Sequence, residues 1–160
     1  MSRYIEQAID ALYTQINADL PGKLTDVETD SSLAAGALPA PVAILKYQAP
    51  ADMRTPLVQI YDLGLSPHDE DGQRHGVYDV PCRVTLAVGS DADIAAGEVK
   101  ARRYVDALMR SVVNDSTLGG SAVQCLFTGA QASLELNEST PTRHVYDFDF
   151  DVTVQSTVGG

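Results

Sequence analysis

Residues 144–154 read HVYDFDFDVTV. Tyr146, Phe148, Phe150, Val152 and Val154 alternate there with Asp147, Asp149, Asp151 and Thr153, and Gln155 continues the polar series. Side chains on an extended chain point to opposite faces in turn, so this period of two predicts a strand with one face in the core and one acidic face. The same period runs through Tyr78, Val80, Cys82, Val84, Leu86 and Val88, set against Asp79, Pro81, Arg83, Thr85 and Ala87. Pro81 has no N–H to give a ladder. The beginning of this second strand is therefore expected at a sheet edge or bulge, unless the missing donor points away from any partner. An edge there is open to cover by a neighbouring subunit.

Between the two strands the pattern changes to helical spacing. Ile94, Gly97, Ala101, Tyr104, Val105, Leu108 and Val112 fall on one face, while Glu98 with Arg102 and Asp106 with Arg110 form i,i+4 pairs. Ser90 as cap, with Asp93 three positions on, places the start of this helix near Asp91. Gly97 and Ala101 let it lie close to a sheet. The turn formers NDSTLGG at 114–120 end it. Val123–Phe127 and Ala132–Leu136 then read as two short strands, and Asn137–Arg143 as a polar turn.

Upstream, Ile5, Ile9, Leu12, Ile16 and Leu20 predict an amphipathic helix over Arg3–Asp19, ended by Pro21 and Gly22. Residues 22–41 lack periodicity and read as a mobile or docking arm. Val42–Tyr47 and Leu57–Asp62 are β-prone runs joined by Ala49–Pro56, predicted as an antiparallel pair. Gly64–Gly76 is polar and reads as a surface loop. Strands on both sides of one long helix define an α+β fold. The expected architecture is an antiparallel-rich mixed sheet packed on one side by an N-terminal helix and a long central helix, as a single domain over residues 1–160.

At 160 residues and 17.1 kDa, with 44% hydrophobic and 21% charged residues, the chain has the composition of a packed globular protein. Its formal charge of −11 opposes general affinity for nucleic-acid phosphates or anionic membranes. The N-terminus, MSRYIEQAIDALY, is charged from the outset and does not resemble an export signal. The most apolar stretch, Leu33–Leu45, is interrupted by Pro39 and Pro41 and is too short to span a membrane. Cys82 and Cys125 lie in strand-like runs without metal-ligand spacing, and read as buried free thiols.

Catalytic patterns are lacking. His68, His75 and His144 share no metal-binding spacing, no nucleophile elbow or phosphate-cradling glycine motif is present, and His68–Gly72 matches a calcium loop only superficially. Arg102 and Arg103 make a small basic spot that paired helix charges explain. Asp147, Asp149 and Asp151 project from one face, but same-face neighbours are roughly 6 to 7 Å apart along a strand. A hard cation wants converging ligands, so a solvated acidic face is the preferred reading over a metal site. No catalytic, cofactor-binding or metal residue is assigned.

The order of helix, variable arm, strands, long strand, long helix, D-S-T-L-G-G and closing strands resembles the bacteriophage tail-terminator and tail-completion family. The strand VPCRVTLAVGS, the helix AGEVKARRYVDALMRSVVNDSTLGG and the terminal strand HVYDFDFDVTV carry the resemblance and cover about half of the chain. It implies a non-enzymatic virion protein that forms a ring, usually hexameric, capping the tail tube and offering a surface to the head-side connector. The implied partners are further copies of the chain, the tail tube protein and the connector protein. DNA would pass through without specific binding, and the protein would reside in the virion tail or neck after assembly in the host cytoplasm. Asp147, Asp149 and Asp151 are lumen candidates, with an outer solvent-facing strand as the alternative. A head-to-tail connector or other neck ring is the alternative structural role. From another class, the second alternative is a small-ligand or metal-dependent enzyme, with the face of Asp147, Asp149 and Asp151 as its least implausible site.

Overall fold

The computed structural model describes residues 3–49, 54–68, 76–89, 94–135 and 143–155. In chain order the elements are helix α1 (Arg3–Asp30), strands β1 (Ala43–Leu45), β2 (Leu57–Asp62), β3 (Ser66–Pro67) and β4 (Val77–Gly89), helix α2 (Ile94–Val113), and strands β5 (Gln124–Glu135) and β6 (Arg143–Gln155). The strands form one six-stranded sheet in the order β1-β2-β4-β6-β5, with β3 alongside β4. All pairings are antiparallel except β1 with β2. The fold is α+β, as the alternating patterns predict.

The two periodic stretches are direct partners over their whole length, from Val77 opposite Gln155 to Gly89 opposite Arg143. This register puts Val80, Cys82, Val84 and Leu86 beside Val152, Phe150, Phe148 and Tyr146 on one face. That face and both helices share the main core, where Leu12, Ile16, Leu20, Tyr104, Leu108, Phe148 and Phe150 are almost wholly buried. Gln15 joins the helices by donating to the Ser111 carbonyl at 3.1 Å. Gly97 and Ala101 are buried, as close packing requires, whereas Ile94 lies off the packed face at 51% exposure. The starting residues Ser90, Asp91 and Asp93 lie outside the described residues.

Pro81 sits in the interior strand β4, not at a sheet edge. Its carbonyl accepts the Leu63 N–H at 2.7 Å on the β2 side. Because N–H and C=O of one strand residue point the same way, the missing donor faces the gap between the end of β2 and the start of β3. The ladder to β6 therefore loses nothing.

Several local expectations are corrected. Helix α1 does not end at Asp19 but continues through Pro21 to Asp30. A proline inside a helix costs about 3 kcal/mol, whereas burying a Leu or Val side chain returns about 1.5–3 kcal/mol. Leu24 and Val27, both buried, extend the series Leu12, Ile16, Leu20 and together outweigh the proline. The first part of the supposed arm is thus helix, and the rest docks on the chain's own core. Leu38 is buried, its N–H donates to buried Glu28 at 2.8 Å, and the Tyr104 hydroxyl donates to the Pro39 carbonyl.

β1 and β2 pair parallel, with Ala43 opposite Leu57 and Leu45 opposite Gln59. The expected antiparallel pairing is thus corrected to a parallel one; residues 50–53 of the connection lie outside the described residues, and before them the Ala49 N–H donates to Gln59 Oε1 at 2.7 Å. Downstream, the two short strands expected from Val123 to Leu136 are one strand, β5, whose register to β6 shifts between Phe127 and Gly129. Ser66 and Pro67, expected in a loop, pair with Asp79 and Tyr78; residues 69–75 of that loop and 137–142 of the expected polar turn lie outside the described residues.

Candidate functional site

The sheet face away from the helices is where the three aspartates lie, since β6 alternates core and outer positions without interruption. Each of them meets a different neighbour. Asp149 stands opposite Arg83, whose Nε and Nη2 donate to its two oxygens at 2.8 and 3.2 Å. The carboxylate holds the Arg83 guanidinium even further above its ordinary value, mainly through this hydrogen bond. Asp147 stands opposite Thr85 and accepts its hydroxyl at 2.7 Å; Thr85 Oγ1 is in turn 3.2 Å from the Tyr61 hydroxyl.

Asp151 stands opposite Pro81, which has no donor to offer. Its Oδ1 is buried and has no hydrogen-bond partner among the described residues. Burial, then the nearby Asp79 carboxylate, push the Asp151 carboxyl above its ordinary range, against a smaller opposing effect of His68. Asp79 itself accepts the Thr153 hydroxyl at 2.6 Å and lies 2.9 Å from His68 Nδ1.

The face is therefore a ladder of cross-strand polar pairs, not a freely solvated acidic stripe. Its charge is partly offset by Arg83. The aspartates do not converge, and among the described residues no three His, Cys, Asp or Glu side chains come close enough to hold a metal ion. His68 belongs to this face, whereas His144 lies on the helix side of β6, opposite Val88 and Leu134, so these two histidines are not brought together. His75 lies outside the described residues. Cys82 and Cys125 are buried, and desolvation first of all pushes both thiols up to about 12, which suppresses the thiolate needed for nucleophilic work. A groove of about 580 Å³ between the helices is lined by Lys23, Asp26, Met109, Arg110, Val113 and Asn114, on the other side of the molecule from the aspartates. Its Arg110 is already engaged by Asp30 and Asp106. No described helix is long and apolar enough to cross a membrane.

The feature that sequence reading passed over is the edge strand. Among the described residues β5 pairs only with β6, and from Leu126 to Glu135 it is exposed except for half-buried Gly129. Leu126, Phe127 and Leu134 are 49%, 43% and 42% exposed. The strand reads QCLFTGAQASLE and carries no charge before Glu135. Native sheets usually blunt a long edge with charge, proline or a covering element. The uncharged run CLFTGAQASL was visible in the sequence, but only its place at the rim gives it meaning. Comparison of the chain with protein-family models gives no match, and comparison with curated proteins gives none.

Proposed function

We propose that this protein is a structural subunit of a bacteriophage tail: a tail terminator that assembles into a ring, hexameric by the family's habit, on the end of the tail tube. The observation carrying this reading is the long, uncharged edge of β5, which no other described strand covers, a surface suited to assembly rather than turnover. The tail tube protein would lie below the ring and the head-side connector protein above it. An acidic subunit with charge −11 suits a DNA-conducting channel, because phosphates are repelled instead of held. In this arrangement Asp147 and Asp151 would supply lumen charge, with that of Asp149 offset by Arg83.

Electron microscopy of the purified protein, and of phage particles labelled with antibody against it, tests the reading. Rings, with label at the head-proximal end of the tail tube, are the expected result. Label on tail-less heads would assign the chain to the connector instead. Label along the tube, or an absence of the protein from particles, would overturn the proposal.

A further inference from the structure

Near the start of β4, three segments bring three titratable side chains to the sheet face away from the helices. β3 lies against β4 with Ser66 opposite Asp79 and Pro67 opposite Tyr78, and the His68 N–H donates to the Val77 carbonyl at 3.1 Å. Asp79 Oδ1 accepts the Thr153 hydroxyl at 2.6 Å and lies 2.9 Å from His68 Nδ1, so beside an ionised Asp79 the imidazole nitrogen is the donor. Asp79 is opposite Thr153 and Asp151 is opposite Pro81, which makes the two carboxyls diagonal neighbours on one face. Apolar burial does little to hold β3 down. Both of its residues are exposed, as are Leu63 and Leu65 before it.

We propose that His68, Asp79 and Asp151 form a pH-sensitive latch that holds β3 on β4 in mildly acidic solution and releases it above neutrality. While the imidazole is charged, one cation faces two carboxyls. Once it is neutral, Asp79 and Asp151 face each other without it, and Asp151 Oδ1 has no hydrogen-bond partner among the described residues to spread its charge. A group whose protonated form is favoured by the closed state contributes below its open-state value, and the contribution is lost as pH rises through the closed-state value. Few other charges face this corner. Arg83 and Asp149 lie one row further along β4 and β6 and are bonded to each other, with Tyr61 of β2 opposite Arg83. β5 brings Gln124 and Leu126 opposite Thr153 and Asp151, and on the helix side Tyr4 rests on Tyr78. Asp69, Glu70 and Asp71 follow His68 in the sequence and lie outside the described residues. Release of β3 would bare the β2-side edge of β4 at Val77–Asp79. The latch does not depend on the ring reading, since β3, β4 and β6 belong to one subunit.

Hydrogen exchange over Leu63–His68, with each rate divided by the chemical rate at the same pH, reads the latch directly. Protection in the wild-type chain should fall about three- to fivefold from about pH 5.5 to about pH 8, across the ordinary imidazole range, while the middle of β4 keeps its protection. His68→Gln should fix the segment near its wild-type protection at the alkaline end and remove the pH dependence. Asp151→Asn should retain more protection there, because it removes the facing charge. In Asp79→Asn the His68 titration, followed by NMR, should move to lower pH, which separates Asp79 from the acidic residues that follow His68. Circular dichroism verifies the fold of each variant. Protection that is independent of pH in the wild-type chain overturns the latch, as does a fall that persists in His68→Gln. An unchanged imidazole titration in Asp79→Asn also overturns it.

Discussion

Arg83 and Asp149 face each other across strands β4 and β6 and share two hydrogen bonds, of 2.8 and 3.2 Å, on the side of the sheet away from α1 and α2. Both side chains are about one-third exposed, at 31% and 36%. The pair is therefore wet enough for salt to screen it and ordered enough to register β4 against β6.

Replacing Arg83 by Ala should cost about 1 kcal/mol or less, because solvent and ions weaken a pair at this depth. Urea unfolding at low and high salt measures it. The loss should shrink as salt rises, and a double-mutant cycle with Asp149→Ala should attribute most of it to the pair. An undiminished loss at high salt would mean that Arg83 acts through packing of its aliphatic stem instead.

Asp151 should behave in the opposite sense. Its folded carboxyl is raised above the ordinary 3.8, first by burial and then by Asp79. A carboxyl raised by folding favours the folded state below its unfolded value and loses that contribution as pH rises through the folded value. Asp151→Asn should therefore raise stability at neutral pH, by under about 1 kcal/mol given the partial exposure. The gain should vanish below pH 3.8, and thermal unfolding from pH 3 to 7 reads it directly.

Asp115 carries the reverse shift. In the stretch DSTLGG its carboxylate accepts the Thr117 N–H and hydroxyl at 2.9 and 2.8 Å and the Gly119 N–H at 2.8 Å, and these bonds hold it below 3.8. Gly119 and Gly120 follow with φ of 71° and 86°, a region that glycine occupies without strain. Asp115→Ala should lower the melting temperature by a gap that is constant above pH 3.8. The gap should close as acid protonates the wild-type carboxylate through its depressed folded value. A gap unchanged at pH 2 would show that the turn is set by its glycines alone.

How far the sequence could be read depended on the range of the interactions involved. The alternation of Phe148 and Phe150 with Asp147 and Asp149 was legible because a pleat is a local property. The partners Thr85 and Arg83 were not, since they lie more than sixty positions earlier and become neighbours only through the β4–β6 register. Pro21 misled for an energetic reason: local propensity stops the helix there, while burial of Leu24 and Val27 continues it. Residues 128–131 separate the two strands expected at Val123–Phe127 and Ala132–Leu136, but they belong to one strand whose register shifts between Phe127 and Gly129. Likewise, a parallel β1–β2 pairing cannot be read from two β-prone runs whose connection has to cross back along the sheet.

Tyr104 offers a direct probe of how the segment after α1 is held. The phenol is buried against the core and its hydroxyl donates to the Pro39 carbonyl, while burial first, and then Glu28, raise its pKa. Tyr104→Phe keeps the ring and removes one hydrogen bond, leaving a carbonyl to find another partner, so the expected cost is about 1 kcal/mol. Because Leu38 and its bond to Glu28 remain, the loss should appear locally before it appears globally. Limited proteolysis should cut between residues 31 and 42 several times faster in the variant, while the helix signal in circular dichroism is retained. Equal cleavage rates would mean that Leu38 and Glu28 hold the segment without help from the phenol.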